Sequence, residues 1–211
     1  MQANQRLVSP DDGYEIMLFP LEYMNISQGE YSSLSHQLAM DFLGWGASGR
    51  VYRCPYYAPC SCRCVAHWGS DANTTWESLD LVHTPDGHLT KITFCCQHDN
   101  TPLPVGTVLT QGDLMGHTGT AGQVTGDHLH FNVALGDYDG YSSIGGGWYE
   151  LKNSVHIYNI CYTNDTIIYD GENYNWREYQ GGVIPPGPGP HEEERHKFPW
   201  FLYTNRLRER R

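Results

Sequence analysis

The sequence predicts a mainly β protein built from short antiparallel strands, and three observations point there. Of 211 residues, 23 are Gly and 15 are Tyr, and 13% are aromatic, a balance that suits short strands joined by tight turns. Apolar residues recur with period two in one segment after another, and no stretch carries the repeat of an amphipathic helix. Between two such segments, Pro85-Asp86-Gly87 is a turn with a mechanism: proline presets one backbone angle and glycine accepts a positive one. The length admits one domain with a real core and a short appendage.

Taken in order, residues 14–21 read as an entry strand that ends at Pro20. Residues 35–42 read as a strand with Ala39 and Asp41 on one face and Leu38, Met40 and Phe42 on the other. Further strands are expected within 51–65, at 76–82 and at 88–95, the last two joined as a hairpin through Pro85-Asp86-Gly87. Glycines punctuate short apolar runs across 105–116. Beyond the middle of the chain, residues 155–162, 165–169 and 173–176 read as two or three strands extending the same sheet system. The composition breaks after Gln180. Residues 181–190 are almost all Gly and Pro and read as a semi-extended spacer, and residues 191–211 form an aromatic and basic tail. This divides the chain into a domain over 1–180, a linker over 181–190 and a tail over 191–211.

The formal net charge is -11, and it is uneven. Residues 192–211 hold six of the 13 Lys and Arg but four of the 24 acids, so the tail is +2 against -13 elsewhere. An acidic body argues against a nucleic-acid partner. Arg206, Arg208, Arg210 and Arg211, following Phe198, Trp200, Phe201 and Tyr203, could dock on an anionic wall polymer, a membrane surface or another protein, or could simply solubilise the chain end. No run reaches eighteen apolar residues, and Met1 to Gln5 lacks a basic region followed by an apolar one. The expectation is a chain without a membrane span, made in the cytoplasm without a signal peptide. Seven cysteines, an odd number, with Cys60, Cys62 and Cys64 alternating along an expected strand, do not form an obvious disulfide framework. A zinc site from Cys54, Cys60, Cys62 and Cys64 is the rival reading, and it lacks Cys-x-x-Cys pairs.

Residues 119–132 carry the chemistry. A Gly-Thr-Ala-Gly turn leads to His128-Leu129-His130-Phe131-Asn132, where His128, His130 and Asn132 share one face of a strand and Leu129 and Phe131 the other. Two imidazoles on one face can serve a metal and a substrate beside it.

The order of His36 with Asp41, then His98 after an aromatic strand, then the turns at Val105-Gly106 and Gln111-Gly112, then His128-Leu129-His130-Phe131, resembles the M23 family of zinc metallopeptidases, the lysostaphin-like wall endopeptidases. The resemblance covers roughly residues 30 to 135, and it is strongest to versions in phage lysins and tail-associated wall hydrolases. It implies antiparallel sheets forming a groove, with one zinc held by His36, Asp41 and His130 and with His98 and His128 as catalytic histidines. It also implies peptidoglycan as the substrate, through hydrolysis of stem or cross-bridge peptides at the bacterial cell wall. Two imidazoles and a carboxylate leave a tetrahedral zinc one open position, which suits catalysis. Two readings from other classes stand beside it: a wall-binding module without activity, and a structural phage tail component.

The sequence departs from the family pattern at two places. His36 and Asp41 are separated by five positions where the family has four, so on a regular strand they would point to opposite faces unless a bulge or irregular approach near Gln37 intervenes. His67 and His83 are the substitutes for a first ligand. The second departure is Asn132, where the family more often has an acid; it lies on the ligand face and can act behind the metal. Among the remaining histidines, His117 is expected in a solvated turn, and His88, His156, His191 and His196 on the surface. Tyr138, Tyr141, Trp148 and Tyr149 surround Gly145-Gly146-Gly147, which reads as a mobile loop that either walls the substrate site or is merely anchored by its aromatics.

Overall fold

A computed structural model describes residues 1–68, 72–169 and 173–181. The tail over 191–211 and all of the spacer but Gly181 lie outside the described residues, as do His191 and His196.

The strands that position the site include Ile26–Gln28 (β1), Ala39–Phe42 (β2), Cys62–Trp68 (β3), Asn73–Ser78 (β4), Ile92–Gln97 (β5), Val108–Leu109 (β6) and Leu129–Leu135 (β7). They are followed by Tyr141–Gly145 (β8), Trp148–Leu151 (β9), Ser154–Val155 (β10) and the single-turn helix Ile157–Ile160 (α1). One eight-stranded antiparallel sheet dominates, in the order β6-β3-β4-β5-β7-β2-β1, with β10 pairing on β7. The protein is therefore mainly antiparallel β, as its composition and alternation predict.

The two faces of the central strands do different work. From β7, Leu129, Phe131 and Val133 enter the main core beside Phe94, Trp76, Phe42 and Phe19, all completely buried. At about 1.5–3 kcal/mol for each large side chain taken out of water, these rings outweigh any exposed ion pair, which contributes under about 1 kcal/mol. Alternation turns His130, Asn132 and Ala134 to the opposite face. There Ala134 packs with Cys95 and Leu151 under Tyr138 and Tyr141, so the β8–β9 hairpin roofs part of this face. His130 is left where the roof opens.

The cysteines are core residues. All seven are buried free thiols, and Cys60, Cys62, Cys64 and Cys96 pack in the main cluster. Strand β3 starts only at Cys62, so Cys60 precedes the strand it was expected to share. Burial pushes the Cys64 thiol up to about 11, so these sulfurs behave as small apolar groups.

Several expected strands are shorter or absent. Residues 14–21 hold a strand only at Glu15–Ile16, which pairs in parallel with Val82–His83; the following N–H groups of Met17, Leu18 and Phe19 go to carbonyls of His83, Pro59 and Tyr162. A continuous apolar run marks burial without specifying a ladder. Over 155–162 only Val155 continues a strand, and the chain then makes α1, because Ile157 and Ile160, three apart, share the buried side of a helical turn. Residues 167 and 168 pair in parallel with Tyr23–Met24 and do not join the main sheet. Residues 173–176 form no strand; Tyr174 and Trp176 pack on the core from irregular backbone. Gly145-Gly146-Gly147 is the tip of the β8–β9 hairpin, with all three residues at positive φ, so the expected loop is a turned ribbon. Among the described residues no helix is long and apolar enough to cross a membrane.

Candidate metal centre

Asp41 and His130 are brought together by sheet register. They are directly paired residues of β2 and β7, and Asp41 Oδ1 lies 2.9 Å from His130 Nδ1. His36 reaches them from outside the ladder, because β2 begins at Ala39 and His36 sits in the turn closed by its bridge to Ser33. Its Nε2 lies 2.9 Å from Asp41 Oδ1, and its ring packs edge-on against His130 with centroids 4.9 Å apart. The approach between 36 and 39 is irregular, as the odd offset requires. His36, Asp41 and His130 are all buried, and each offers a ligand atom within 4.8 Å of the others.

These residues fit a metal on their own chemistry. His36 Nδ1 contacts Ser35 Oγ at 2.8 Å and Ser33 Oγ at 3.2 Å. When Nδ1 donates to a serine, Nε2 is left with its lone pair facing Asp41, and among the described residues this buried atom has no hydrogen-bond partner despite its short distance to the carboxylate. Atoms bound at about 2.0 Å around a tetrahedral zinc lie ~3.3 Å apart, comparable with the 2.9 Å between Asp41 Oδ1 and each of the two imidazole nitrogens. Burial alone would raise the pKa of Asp41; the His130 hydrogen bond, the approach of His36 and the charges of His130 and His128 outweigh it and hold the carboxyl well below its usual range. A carboxylate that stays ionised is what a cation site needs.

His98 and His128 stand beside this trio. His128 Nδ1 is 2.9 Å from the Gly126 carbonyl, and its Nε2 is 3.3 Å from Asp41 Oδ2. His98 follows β5 with φ +78°, a left-handed conformation that costs a non-glycine residue energy and is held by its surroundings. Its Nδ1 is 2.7 Å from the Ala121 carbonyl, and its ring lies 4.6 Å from that of His128. The Gly119 turn makes this approach, since a Cβ at 119 would collide with the His98 carbonyl oxygen. A carbonyl only accepts, so in both histidines Nδ1 carries the proton and a neutral ring keeps its lone pair on Nε2. Burial, reinforced by the charge of His130, lowers the pKa of His98 to about 4, so it is neutral at pH 7.

All five side chains line one groove of about 450 Å³, whose wall includes Trp68, Tyr141, Trp148 and Tyr149. Tyr138 is not in that wall; it packs against Cys95, Ala134 and Leu151. The substitute ligands do not reach the site: His67 is exposed on β3, and His83 pairs with Asp12 at 2.9 Å. His117 lies outside the groove lining, half-buried at a strand end. His88 and His156, expected on the surface, are half-buried there and paired with Asp86 and Glu30. Asn132 holds Leu38 O through Nδ2 and accepts from Leu151 N and Ser154 Oγ, so it acts on the backbone behind the ligands. Sequence reading missed Glu150, whose carboxylate binds the N–H groups of residues 37–39, and Ser33 and Ser35 behind His36. The serines preceding His36 were a readable signal; Glu150, more than a hundred positions away, was not.

No family model matches the chain. It is 38% identical over 174 residues to morphogenesis protein 1 of Bacillus phage B103, an alignment covering 78% of this chain and 45% of that protein. The chain thus spans about half the length of this relative. Similar solved structures include a zinc-containing peptidase from Vibrio cholerae, with 15% identity, 59% of this chain and 39% of that one covered, and a TM-score of 0.42. Another is the catalytic domain of the antimicrobial peptidase lysostaphin from Staphylococcus simulans, with 18% identity, 68% and 86% covered, and a TM-score of 0.39.

Proposed function

We propose that this chain is a zinc-dependent endopeptidase of the M23 type that hydrolyses peptide bonds in bacterial peptidoglycan, in a phage setting. The observation that carries the proposal is the convergence of His36, Asp41 and His130 within 4.8 Å, with His98 and His128 beside them in an open groove. The order of the same motifs along the sequence supports it, as does the similarity to a phage protein.

His36, Asp41 and His130 would hold one zinc, leaving a position open to the groove. Zinc in that place supplies a Lewis acid that polarises a carbonyl and acidifies water. The chain's own contribution is orientation and proton handling. His98 and His128, each locked by a backbone carbonyl at Nδ1, present Nε2 to accept a proton from the attacking water and return one to the departing amine. The groove wall of Trp68, Tyr141, Trp148 and Tyr149 would restrain the peptide against these groups. Residues 1–180 form the catalytic domain in this reading, with 181–190 as spacer and 191–211 as a tail contacting anionic wall polymer or a partner.

A second reading is favoured by the name of the phage relative: an assembly component that keeps the fold without the chemistry. One experiment separates them. Purified walls of several peptide chemistries are digested with the zinc-loaded protein, and new amino termini are identified by mass spectrometry. The peptidase reading expects a single class of new terminus, abolished by chelation; zinc-loaded protein that releases none supports the assembly role.

A further inference from the structure

Three consecutive backbone N–H groups, those of Gln37, Leu38 and Ala39, converge on the carboxylate of Glu150 in β9. Oε1 accepts from Gln37 at 2.7 Å, from Leu38 at 2.9 Å and from Ala39 at 3.2 Å, and Oε2 accepts from Leu38 at 3.1 Å. In an extended strand successive N–H groups point to opposite edges, so no regular strand turns three in a row to one point. Backbone that does so forms a concave nest for an anion. Glu150 is 4% exposed, and among the described residues it has no ion pair with Lys, Arg or His. What keeps a carboxylate there is the set of hydrogen bonds it accepts from this turn.

The turn accounts for the geometry of the first ligand. An offset of five would place His36 and Asp41 on opposite faces of a strand, yet His36 Nε2 reaches 2.9 Å from Asp41 Oδ1. The backbone folded around Glu150 absorbs the odd residue. Asn132 grips the same segment, donating to Leu38 O at 3.2 Å while accepting from the N–H of Leu151, next to Glu150, at 3.0 Å. Glu150 also belongs to the hairpin whose Trp148 and Tyr149 wall the groove.

We infer that Glu150 is a positioning residue that ties the seating of the β8–β9 hairpin to the delivery of His36, so that filling the metal site and closing the groove wall are coupled. The inference rests on the zinc reading of the site. Whatever orders the turn at 37–39 stabilises the hairpin, and by reciprocity a seated hairpin raises the affinity for zinc. Asp41 and His130 stand outside this coupling, because their pairing comes from the sheet.

The test uses the full chain and zinc alone. In the wild type, amide hydrogen exchange at 37–39 and 149–151 slows by about tenfold or more on zinc loading, while β4 in the main sheet is unchanged. In Glu150→Gln, which keeps the side-chain volume, chelator competition shows zinc affinity reduced by about 10- to 100-fold, the scale for losing a group behind a metal ligand. The zinc-dependent protection at 149–151 disappears, while melting of the metal-free variant stays near that of the wild type. Unaltered zinc affinity in the variant, or hairpin exchange in the wild type that ignores zinc, overturns the inference. The wild-type measurement decides by itself if the variant does not fold. A wild type that binds no zinc overturns the zinc reading, and this inference with it.

Discussion

Asp41 and His130 face each other across paired strands, with Oδ1 and Nδ1 2.9 Å apart, so two of three candidate ligands are placed by sheet register alone. A site half-built by the sheet should lose its metal when either of these residues is removed, without loss of the fold. His130→Ala should take zinc content from about one per chain to near none by atomic absorption, the stoichiometry of a three-ligand site. Undiminished zinc in that variant would place the metal elsewhere, with the cysteines the next candidates.

Binding and turnover separate at the next pair. His98→Ala and His128→Ala should keep zinc yet lose wall hydrolysis by roughly 10²-fold or more, the usual scale for a positioned acid or base. Turnover at the wild-type rate in either variant would strip that histidine of its role.

How far the sequence was readable follows from which forces are local. Period-two alternation in residues 129–133 correctly assigned His130 and Asn132 to one face and Phe131 to the core, because alternation reports burial directly. The same signal failed at 155–162, where apolar residues at 155, 157 and 160 fit a strand and a helical turn equally, and tertiary burial of Ile157 and Ile160 decided for the turn. At His36 the odd offset announced an irregularity without saying what makes it. Its agent, Glu150, is supplied by a hairpin 111 or more positions away, and such a contact leaves no local pattern.

His98 also predicts a pH dependence. Its pKa is lowered from 6.5 to about 4 in the fold, first by desolvation, so between these values the unfolded chain binds a proton that the folded chain does not. The His98 contribution to stability therefore falls as pH drops from about 6.5 towards 4 and levels off below, by on the order of 3 kcal/mol at most. Asp41 acts in the same direction but lower on the scale: its depressed pKa adds stability that is lost as pH falls below the usual carboxylate range. Chelator-treated His98→Gln should show a flatter melting-temperature profile over that interval than chelator-treated wild type. Parallel profiles would mean that His98 is not buried neutral.

The proposed division of the chain can be tested by ending it at Gln180. Tyr179, whose N–H bonds Asn164 Oδ1 at 2.6 Å, would be kept, as would the whole described core. Folding, zinc content and cleavage of small soluble peptides should persist. Activity on intact walls should fall, more at low salt than at high, since screening removes the attraction of the arginines for anionic polymers. A truncation that unfolds, or that empties the site, would show that residues 181–211 pack on the domain.

Gly119 offers a test of the turn that carries His98. A Cβ at 119 would overlap the His98 carbonyl oxygen and crowd Asn100 Oδ1, and backbone cannot swing aside as a long side chain can. The same turn exchanges hydrogen bonds between Gly119 and His128, and Ala121 N–H donates to the His98 carbonyl at 3.1 Å. Gly119→Ala should therefore push apart the two segments that set both catalytic candidates, at a cost of about 1–3 kcal/mol as for other overpacked sites. Because His36 and Asp41 come from other segments and His130 is held by its register with Asp41, zinc should be retained while turnover drops by about 10-fold or more, as expected when positioned groups move by a fraction of an ångström. Chemical denaturation, zinc analysis and wall digestion on the one variant give all three readouts. Stability and turnover both equal to wild type would mean that the turn yields freely, and the close packing of 119 against 98 would then have no part in placing His98.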